Sequence, residues 1–251
     1  MNLTNNTVLI TGGGAGIGRG LAEALHAEGN HIIITGRREG PLQETVRANP
    51  GMTYYVSDIA DQDAIRVLAS TVVKDHPALN VLVNNAGIMR AENLLDTSFS
   101  MDDSEAMVTT NLLGPIRLTA ALLPHLMQQP TAAVINVTSG LAFVPLALTP
   151  TYSATKAALH SYSQSLRHQL RESRVQVIEL APPAVATNLM PQSRSNPNAM
   201  QLHSYIGESM ALLKAHPLAD EICVEKVKLL RHAESKGQHD AVFGMLNPAN
   251  A

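Results

Sequence analysis

Short runs of β-branched and other apolar residues recur along this chain between longer stretches of helical periodicity. They fall at residues 8–11, 31–35, 53–57, 81–84, 134–138 and 175–180. Each run is apolar nearly throughout, which is the pattern of a strand covered on both faces. The intervals leave room for a crossover helix each time, so the pattern predicts an α/β fold with a mainly parallel, doubly wound sheet and helices on both faces. A seventh strand is expected near residues 241–243. Helical periodicity also predicts a helix from residue 151 to about 173. No Pro/Ser-rich linker or low-complexity segment divides the chain, so residues 1–251 are expected to form one domain. The interval of about 188–216 lacks a strand pattern and reads as a substrate-loop insertion over a site. Its residues Leu189, Met190, Met200, Leu202, Tyr205, Ile206, Met210 and Leu212 suit either a mobile apolar lid or ordinary helix packing.

Composition narrows the function classes. A net charge of −3 without runs of Lys or Arg leaves no electrostatic footprint for nucleic acid. The single cysteine, Cys223, excludes an internal disulfide and a Cys-rich metal site, and it suits a reducing compartment. The first residues lack the basic-then-apolar order of a signal peptide, and no uninterrupted apolar run approaches membrane-spanning length. A soluble, cytoplasmic protein with no membrane partner is therefore expected. The ten histidines are scattered, and His160 and His168 lie eight residues apart with no carboxylate between them, so no metal is expected.

The first strand runs into Thr11-Gly12-Gly13-Gly14-Ala15-Gly16-Ile17-Gly18 and then into a helical stretch. Strand, glycines and helix in that order form a phosphate-binding turn, because glycines let backbone N–H groups approach a pyrophosphate at the positive end of a helix. The second strand ends where an adenosine ribose would lie, at Thr35-Gly36-Arg37-Arg38. An NAD site commonly has a carboxylate there, whereas a 2′-phosphate needs a cation and room. Gly36 offers room, and Arg37 and Arg38 offer charge, with Arg37 the leading contact. NADP(H) is the expected cofactor, with NAD(H) use left open. Two solvated loop arginines would show the same residues.

Ser139 precedes Tyr152 by thirteen residues, and Lys156 follows four residues later. Four residues are one helical turn and about 6 Å of rise, so phenol and ammonium project from one face. A phenol ionises near pH 10, and acid–base work near neutrality requires that value to fall. A unit charge about 5 Å away is worth roughly 3 kcal/mol at an effective dielectric of about 20, so Lys156 can supply most of the change. Burial opposes it, which calls for a second cation or a donated hydrogen bond.

The glycine turn, Asp58 after the third strand, Asn84-Asn85-Ala86-Gly87 after the fourth, Asn111, Ser139, Tyr152 and Lys156 occur in one order. Together they resemble the short-chain dehydrogenase/reductase family over roughly residues 5–187. The resemblance implies a Rossmann-type, mainly parallel seven-stranded sheet and a cofactor site built from Gly12, Gly14, Gly16, Ile17, Gly18, Arg37, Arg38, Asp58, Ile59, Asn85, Ala86, Gly87, Tyr152, Lys156, Pro182 and Thr187. It implies a catalytic set of Asn111, Ser139, Tyr152 and Lys156. Asp58 and Ile59 would contact the adenine, and Thr187 the nicotinamide carboxamide. The main chain of Asn111 would hold a water linking Lys156 to solvent; Pro115 supports this, since proline cannot donate to the carbonyl four residues back. One departure stands out: Pro182-Pro183 replaces the family's common Pro-Gly. With Thr138-Ser139-Gly140-Leu141-Ala142, it looks similar to oxidoreductases encoded beside lipoteichoic acid D-alanylation genes, a likeness that implies no established substrate.

The implied reaction is hydride transfer between NADP(H) and a small-molecule carbonyl or secondary alcohol, with Tyr152 as general acid/base and Ser139 holding the carbonyl oxygen. Phe143, Val144 and Leu146 after Ser139 suggest a small or medium ketone, aldehyde or secondary alcohol with little charge. Ala154, Ala157, Ala158 and Ser161 form a small-residue face suited to a homodimer or homotetramer. An epimerase or dehydratase that retains its cofactor uses the same scaffold, and a non-catalytic NADP sensor would be expected to lack Tyr152 or Lys156.

Overall fold

The computed structural model describes residues 1–190 and 196–248. In chain order the elements are β1 (Thr7–Thr11), α1 (Gly16–Ala27), β2 (His31–Gly36), α2 (Glu39–Ala48), β3 (Thr53–Val56), α3 (Gln62–Asp75), β4 (Leu79–Asn84), α4 (Asp102–Val108), a π turn (Thr109–Leu113), α5 (Gly114–Leu126), β5 (Ala132–Val137), α6 (Pro150–Gln169), β6 (Val175–Leu180), α7 (Leu202–Ala215), β7 (Glu221–Ile222), α8 (Lys228–Arg231) and α9 (His239–Leu246). The seven strands form one sheet in the order β3-β2-β1-β4-β5-β6-β7. Every pairing is parallel. The order reverses between β1 and β4, and a doubly wound sheet binds its ligands beside such a reversal, at the carboxyl ends of the strands.

Successive side chains of a strand face opposite sides, and in the central strands both sides are dry, while the edge strand β3 is half-exposed. Val8, Ile10, Ile32, Ile34, Val81, Val83, Ile135 and Ile178 join α1 and α7 in one core. Leu9, Ile33, Leu82, Val134 and Val177 join α3, α5 and α6 in the other. This double burial is why the strands read as continuous apolar runs.

Three expectations change. Residues 241–243 lie in α9, where Val242 packs with Val144 and Ala233 in a small third cluster, and the seventh strand is the two-residue β7. So short a strand, half of it glutamate, carries no apolar run to read. The helix after Ser139 ends at Gln169, a turn earlier than its periodicity suggests. Within the expected insertion, residues 191–195 lie outside the described residues, while α7 is a packed element rather than a lid. Tyr205, Ile206 and Leu213 are buried in the first core. A Cβ on Gly20 of α1 would meet Ile206 Cγ1 at 2.7 Å, so the absence of a side chain there lets the two helices approach. The chain leading into α7 is tied back by a bridge between Val185 and Met200.

The helical stretch Asp102–Leu126 is long and apolar enough, by length and composition, to cross a membrane. Its apolarity has a core explanation, since Leu118, Leu122 and Leu126 are buried against the second face of the sheet.

Candidate active site

The glycine turn is built by close approach. Gly12 and Gly16 have φ of +69° and +54°, a region other residues avoid. A Cβ on Gly18 would lie 2.3 Å from Asn85 Nδ2 and 2.4 Å from the Gly12 carbonyl oxygen. Asn85 is fixed there because its Nδ2 donates to the Thr11 carbonyl at 2.9 Å, while Thr11 Oγ1 accepts from the N–H groups of Asn85 and Ala86, each at 3.0 Å. The first turn of α1 holds no acidic residue, and Ala15 before it provides no side-chain cap, so its N–H groups are suited to an anion. These residues fit the pyrophosphate of a dinucleotide. Ile17 packs partly against the first core and orients that turn.

Ser139, Tyr152 and Lys156 converge beside it, 8 %, 6 % and 4 % exposed. Ser139 follows the end of β5 and caps a short 3-10 turn, its Oγ accepting from Leu141 N at 3.1 Å. Tyr152 and Lys156 occupy one face of α6, with Lys156 Nζ 5.6 Å from the Tyr152 ring centre. Nζ donates to the Val137 carbonyl at 2.8 Å. A Cβ on Gly87 would come within 3.8 Å of Nζ and 3.2 Å of Asn111 Oδ1, so a bare backbone is required there. Burial pushes the Tyr152 phenol up to about 12, and a hydrogen bond from Ser139 works the other way. Burial pulls the Lys156 ammonium down to about 8, opposed by the charge of Glu179. The direction at Tyr152 is thus set by burial, with the Ser139 hydrogen bond opposing it.

Asn111 is fully buried in the π turn, where the Gly114 N–H reaches the Thr109 carbonyl five residues back. Its Oδ1 accepts from Ile88 N and its Nδ2 donates to the Ile88 carbonyl, both at 2.8 Å, which pins the chain after Gly87. Nδ2 also reaches Thr155 Oγ1 on α6 at 3.3 Å. Asn84, beside this pair, donates to Thr119 Oγ1 and to Asn136 Oδ1, joining β4 to β5 and α5.

At the adenosine end, the exposed Arg37 lies 3.9 Å from Asp58 Oδ2, so two residues read as separate contacts form a loose ion pair. Asp58 Oδ1 accepts from Ala60 N at 2.9 Å. Arg38 is exposed and precedes α2. Ile59 is buried with its carbonyl against α5, where a Cβ on Gly114 would meet it at 2.7 Å. The Pro182 carbonyl accepts from Gly140 N at 2.8 Å, which ties the end of β6 to the turn after Ser139. Thr187 rests against Gly16, where a Cβ would lie 3.5 Å from its methyl, so the Pro182-Pro183 departure leaves it beside the glycine turn.

Two of the three apolar residues noted after Ser139 pack elsewhere. Val144 is buried in the third cluster, and Phe143 packs edge-on to His160 at 5.0 Å with Arg231 4.7 Å above its ring. A Cβ on Gly140 would meet Leu230 at 2.6 Å and Val227 at 2.8 Å, so the chain around α8 buttresses the turn that follows Ser139.

Two acidic residues escaped the sequence reading. Glu92 accepts from Thr151 N at 2.9 Å and Thr151 Oγ1 at 2.8 Å, at the first turn of α6, and from Ser104 Oγ on α4. Glu179 is 1 % exposed and accepts from Thr138 Oγ1 at 2.6 Å and His160 Nδ1 at 2.7 Å. His160 therefore has a carboxylate partner after all, supplied by β6 rather than by its neighbours in sequence. A glutamate inside the otherwise apolar β6 run was the available signal, because a buried carboxylate needs partners.

Comparison with known proteins agrees with this geometry. A family model described as short chain dehydrogenase matches residues 6–198. The uncharacterized oxidoreductase DltE of Bacillus subtilis (strain 168) is 43% identical over 251 residues, covering 98% of each chain. A short chain dehydrogenase from Burkholderia cenocepacia J2315, solved in complex with NADP, superposes with a TM-score of 0.82 at 24% identity, covering 98% of this chain and 99% of that one. The closed form of a serine dehydrogenase complexed with NADP+ superposes with a TM-score of 0.77 at 26% identity, covering 86% and 93%. With the doubly wound sheet, the glycine turn and the matched span, the chain belongs to the short chain dehydrogenase family.

Proposed function

We propose that this protein is an oxidoreductase that transfers hydride between NADP(H) and a small-molecule carbonyl or secondary alcohol, with Tyr152 as the general acid/base. The observation that carries the reading is the convergence of Ser139, Tyr152 and Lys156 in one buried volume beside Gly87 and the glycine turn. The names of the Bacillus relative and of the NADP+-complexed serine dehydrogenase support it.

The nicotinamide cofactor supplies or accepts the hydride and, when oxidised, brings positive charge. Gly12, Gly14, Gly16 and Gly18 would receive the pyrophosphate on bare backbone, with Ile17, Asn85, Ala86 and Gly87 shaping the floor. Arg37 and Arg38 would take the 2′-phosphate, Asp58 and Ile59 would border the adenine, and Pro182 and Thr187 would border the nicotinamide. Ser139 orients the substrate oxygen, and its hydroxyl stabilises the negative charge that develops there. Tyr152 gives that oxygen its proton in reduction and takes it in oxidation. Lys156 favours the phenolate by charge and would bind the nicotinamide ribose. The Asn111 carbonyl, which cannot accept from Pro115, is suited to a water that resupplies the proton. Along α6, Ala154 and Ser161 are exposed and Ala157 and Ala158 half-buried, a face that supports pairing with a second copy.

The test is NADPH oxidation against a panel of ketones and aldehydes, with the reverse reaction on alcohols. Tyr152→Phe is expected to cut turnover by at least about 100-fold while cofactor still binds. Turnover retained within about tenfold of the unmodified protein would refute the assignment.

A further inference from the structure

Beneath the catalytic residues lies a buried polar network that the hydride-transfer scheme leaves unused. Its centre is Glu179 on β6, directly opposite Glu221 on β7. Two carboxylates facing each other across a parallel pair repel, so each needs its own protons or cations. Glu221 has them locally: Arg231 Nε at 2.5 Å and Cys223 Sγ at 2.8 Å both donate to its Oε1. Glu179 takes one hydrogen bond from Thr138 and one from His160. The far ring nitrogen of His160, Nε2, lies 3.0 Å from the Gln164 amide nitrogen, so Nδ1 is the nitrogen turned to Glu179. His160, Glu179 and Glu221 also bring one ligand atom each within 4.8 Å of one another. Arg231 and Cys223 on Glu221, and Thr138 on Glu179, already direct protons at those carboxylates, so their hydrogen bonds are met without a metal ion.

This leaves Glu179 as a buried carboxylate held by Thr138 on one side and His160 on the other. Thr138 is the residue before Ser139. His160 lies one turn beyond Lys156 on α6, and Lys156 Nζ is bonded to the carbonyl of Val137, next to Thr138. Glu179 therefore joins the strand end that leads into Ser139 to the helix that bears Tyr152 and Lys156. Resting on the hydride-transfer reading of this site, we propose that Glu179 is a positioning residue: it clamps those two elements together through Thr138 and His160, and its buried carboxylate acts on Lys156 from beneath. Burial alone drives the Lys156 amine toward its neutral form, and Glu179 is the charge that opposes this. Arg231 also feels Glu179, but its own hydrogen bond is to Glu221.

The experiment follows Lys156 directly, without substrate or cofactor. In protein labelled with carbon-13 at the lysine Cε, the Lys156 signal is assigned by its loss in Lys156→Arg and titrated with pH in the unmodified protein and in Glu179→Gln. The midpoint is expected to fall by about one pH unit in Glu179→Gln. A folded Glu179→Gln protein whose midpoint stays within about 0.2 unit overturns the proposal, as does lost turnover with no such shift, which would mark Glu179 as structural only. Should Glu179→Gln fail to fold, Glu179→Asp keeps the charge but withdraws it by one methylene, and a smaller shift in the same direction is the supporting result; none overturns it. Failure of the underlying reading is separate. It would show as Tyr152→Phe retaining turnover, whatever the Lys156 titration gives.

Discussion

Replacing Glu92 by Gln tests how far one carboxylate holds the catalytic helix in place. Glu92 Oε2 accepts from the Thr151 N–H, and Oε1 accepts from the hydroxyls of Thr151 and Ser104. A glutamine can keep its oxygen on the Thr151 N–H and turn its amide toward the two hydroxyls, which then accept instead of donating. The hydrogen bonds survive in number, so the loss is confined to charge: the attraction to the helix N-terminus and the charge-assisted part of three bonds. That amounts to about 1–2 kcal/mol. For a domain of this size it corresponds to a fall in melting temperature of about 2–8 °C. Glu92→Ala, which strands the buried Ser104 hydroxyl and the Thr151 N–H, should cost about 3 kcal/mol or more. The pH dependence follows from the same contacts. Burial raises the Glu92 carboxyl, but the hydrogen bonds from Ser104 and Thr151 outweigh it and hold the group below its ordinary value. A carboxyl depressed in the folded state stabilises above its unfolded pKa, and that contribution is lost as pH falls through the folded value. Urea denaturation followed by circular dichroism, at fixed protein concentration, should therefore show a gap between the unmodified protein and Glu92→Gln at pH 7 that closes on acidification. Equal stability at pH 7, or a gap that does not change with pH, would refute this account.

Two further outcomes are expected. Gly18→Ala places a methyl 2.3 Å from Asn85 Nδ2 and 2.4 Å from the Gly12 carbonyl oxygen, so the turn must open. At an overpacking cost of about 1–3 kcal/mol, NADP+ affinity measured by calorimetry should fall about 5- to 150-fold; unchanged affinity would remove the glycine turn from the cofactor site. Arg37→Ala should raise the KM for NADPH by at least about tenfold and leave that for NADH nearly unchanged, since one charged contact to a phosphate is worth about 1.5–3 kcal/mol. Parallel losses with both cofactors would show that Arg37 does not read the 2′-phosphate.

What the sequence disclosed follows from how local the signals were. Six strands were legible to within two residues at each end: five because both their faces are buried, and the half-exposed edge strand β3 because of its β-branched and aromatic run. The glycine turn was legible because only bare backbone allows Gly12, Gly18 and Asn85 to meet. The shared face of Tyr152 and Lys156 on α6 was legible because they are one helical turn apart. The partners of Glu92 and Glu179 were not, since Thr151 lies 59 residues from Glu92 and Thr138 lies 41 from Glu179. Spacing alone did not disclose how strongly burial raises the phenol, because desolvation depends on how deeply α6 is covered. Tertiary coverage likewise decided α7, whose apolar residues serve the core.

The π turn sets a phase. A helix that closes one turn over five residues instead of four carries an extra residue, and every side chain beyond it is rotated by about 100° relative to an unbroken helix. Ahead of it, Ser104 and Met107 face inward; after it, Leu118, Leu122 and Leu126 do. Asn111 sits at the discontinuity. Removing a single residue between positions 109 and 113 would restore even pitch and bring one set out of step with the other. Either Asn111 would leave Ile88, or the three leucines would turn from the sheet. The length of this stretch is therefore as constrained as its composition, and drift in the family's sequence should be accommodated in the exposed loop before α4 rather than here.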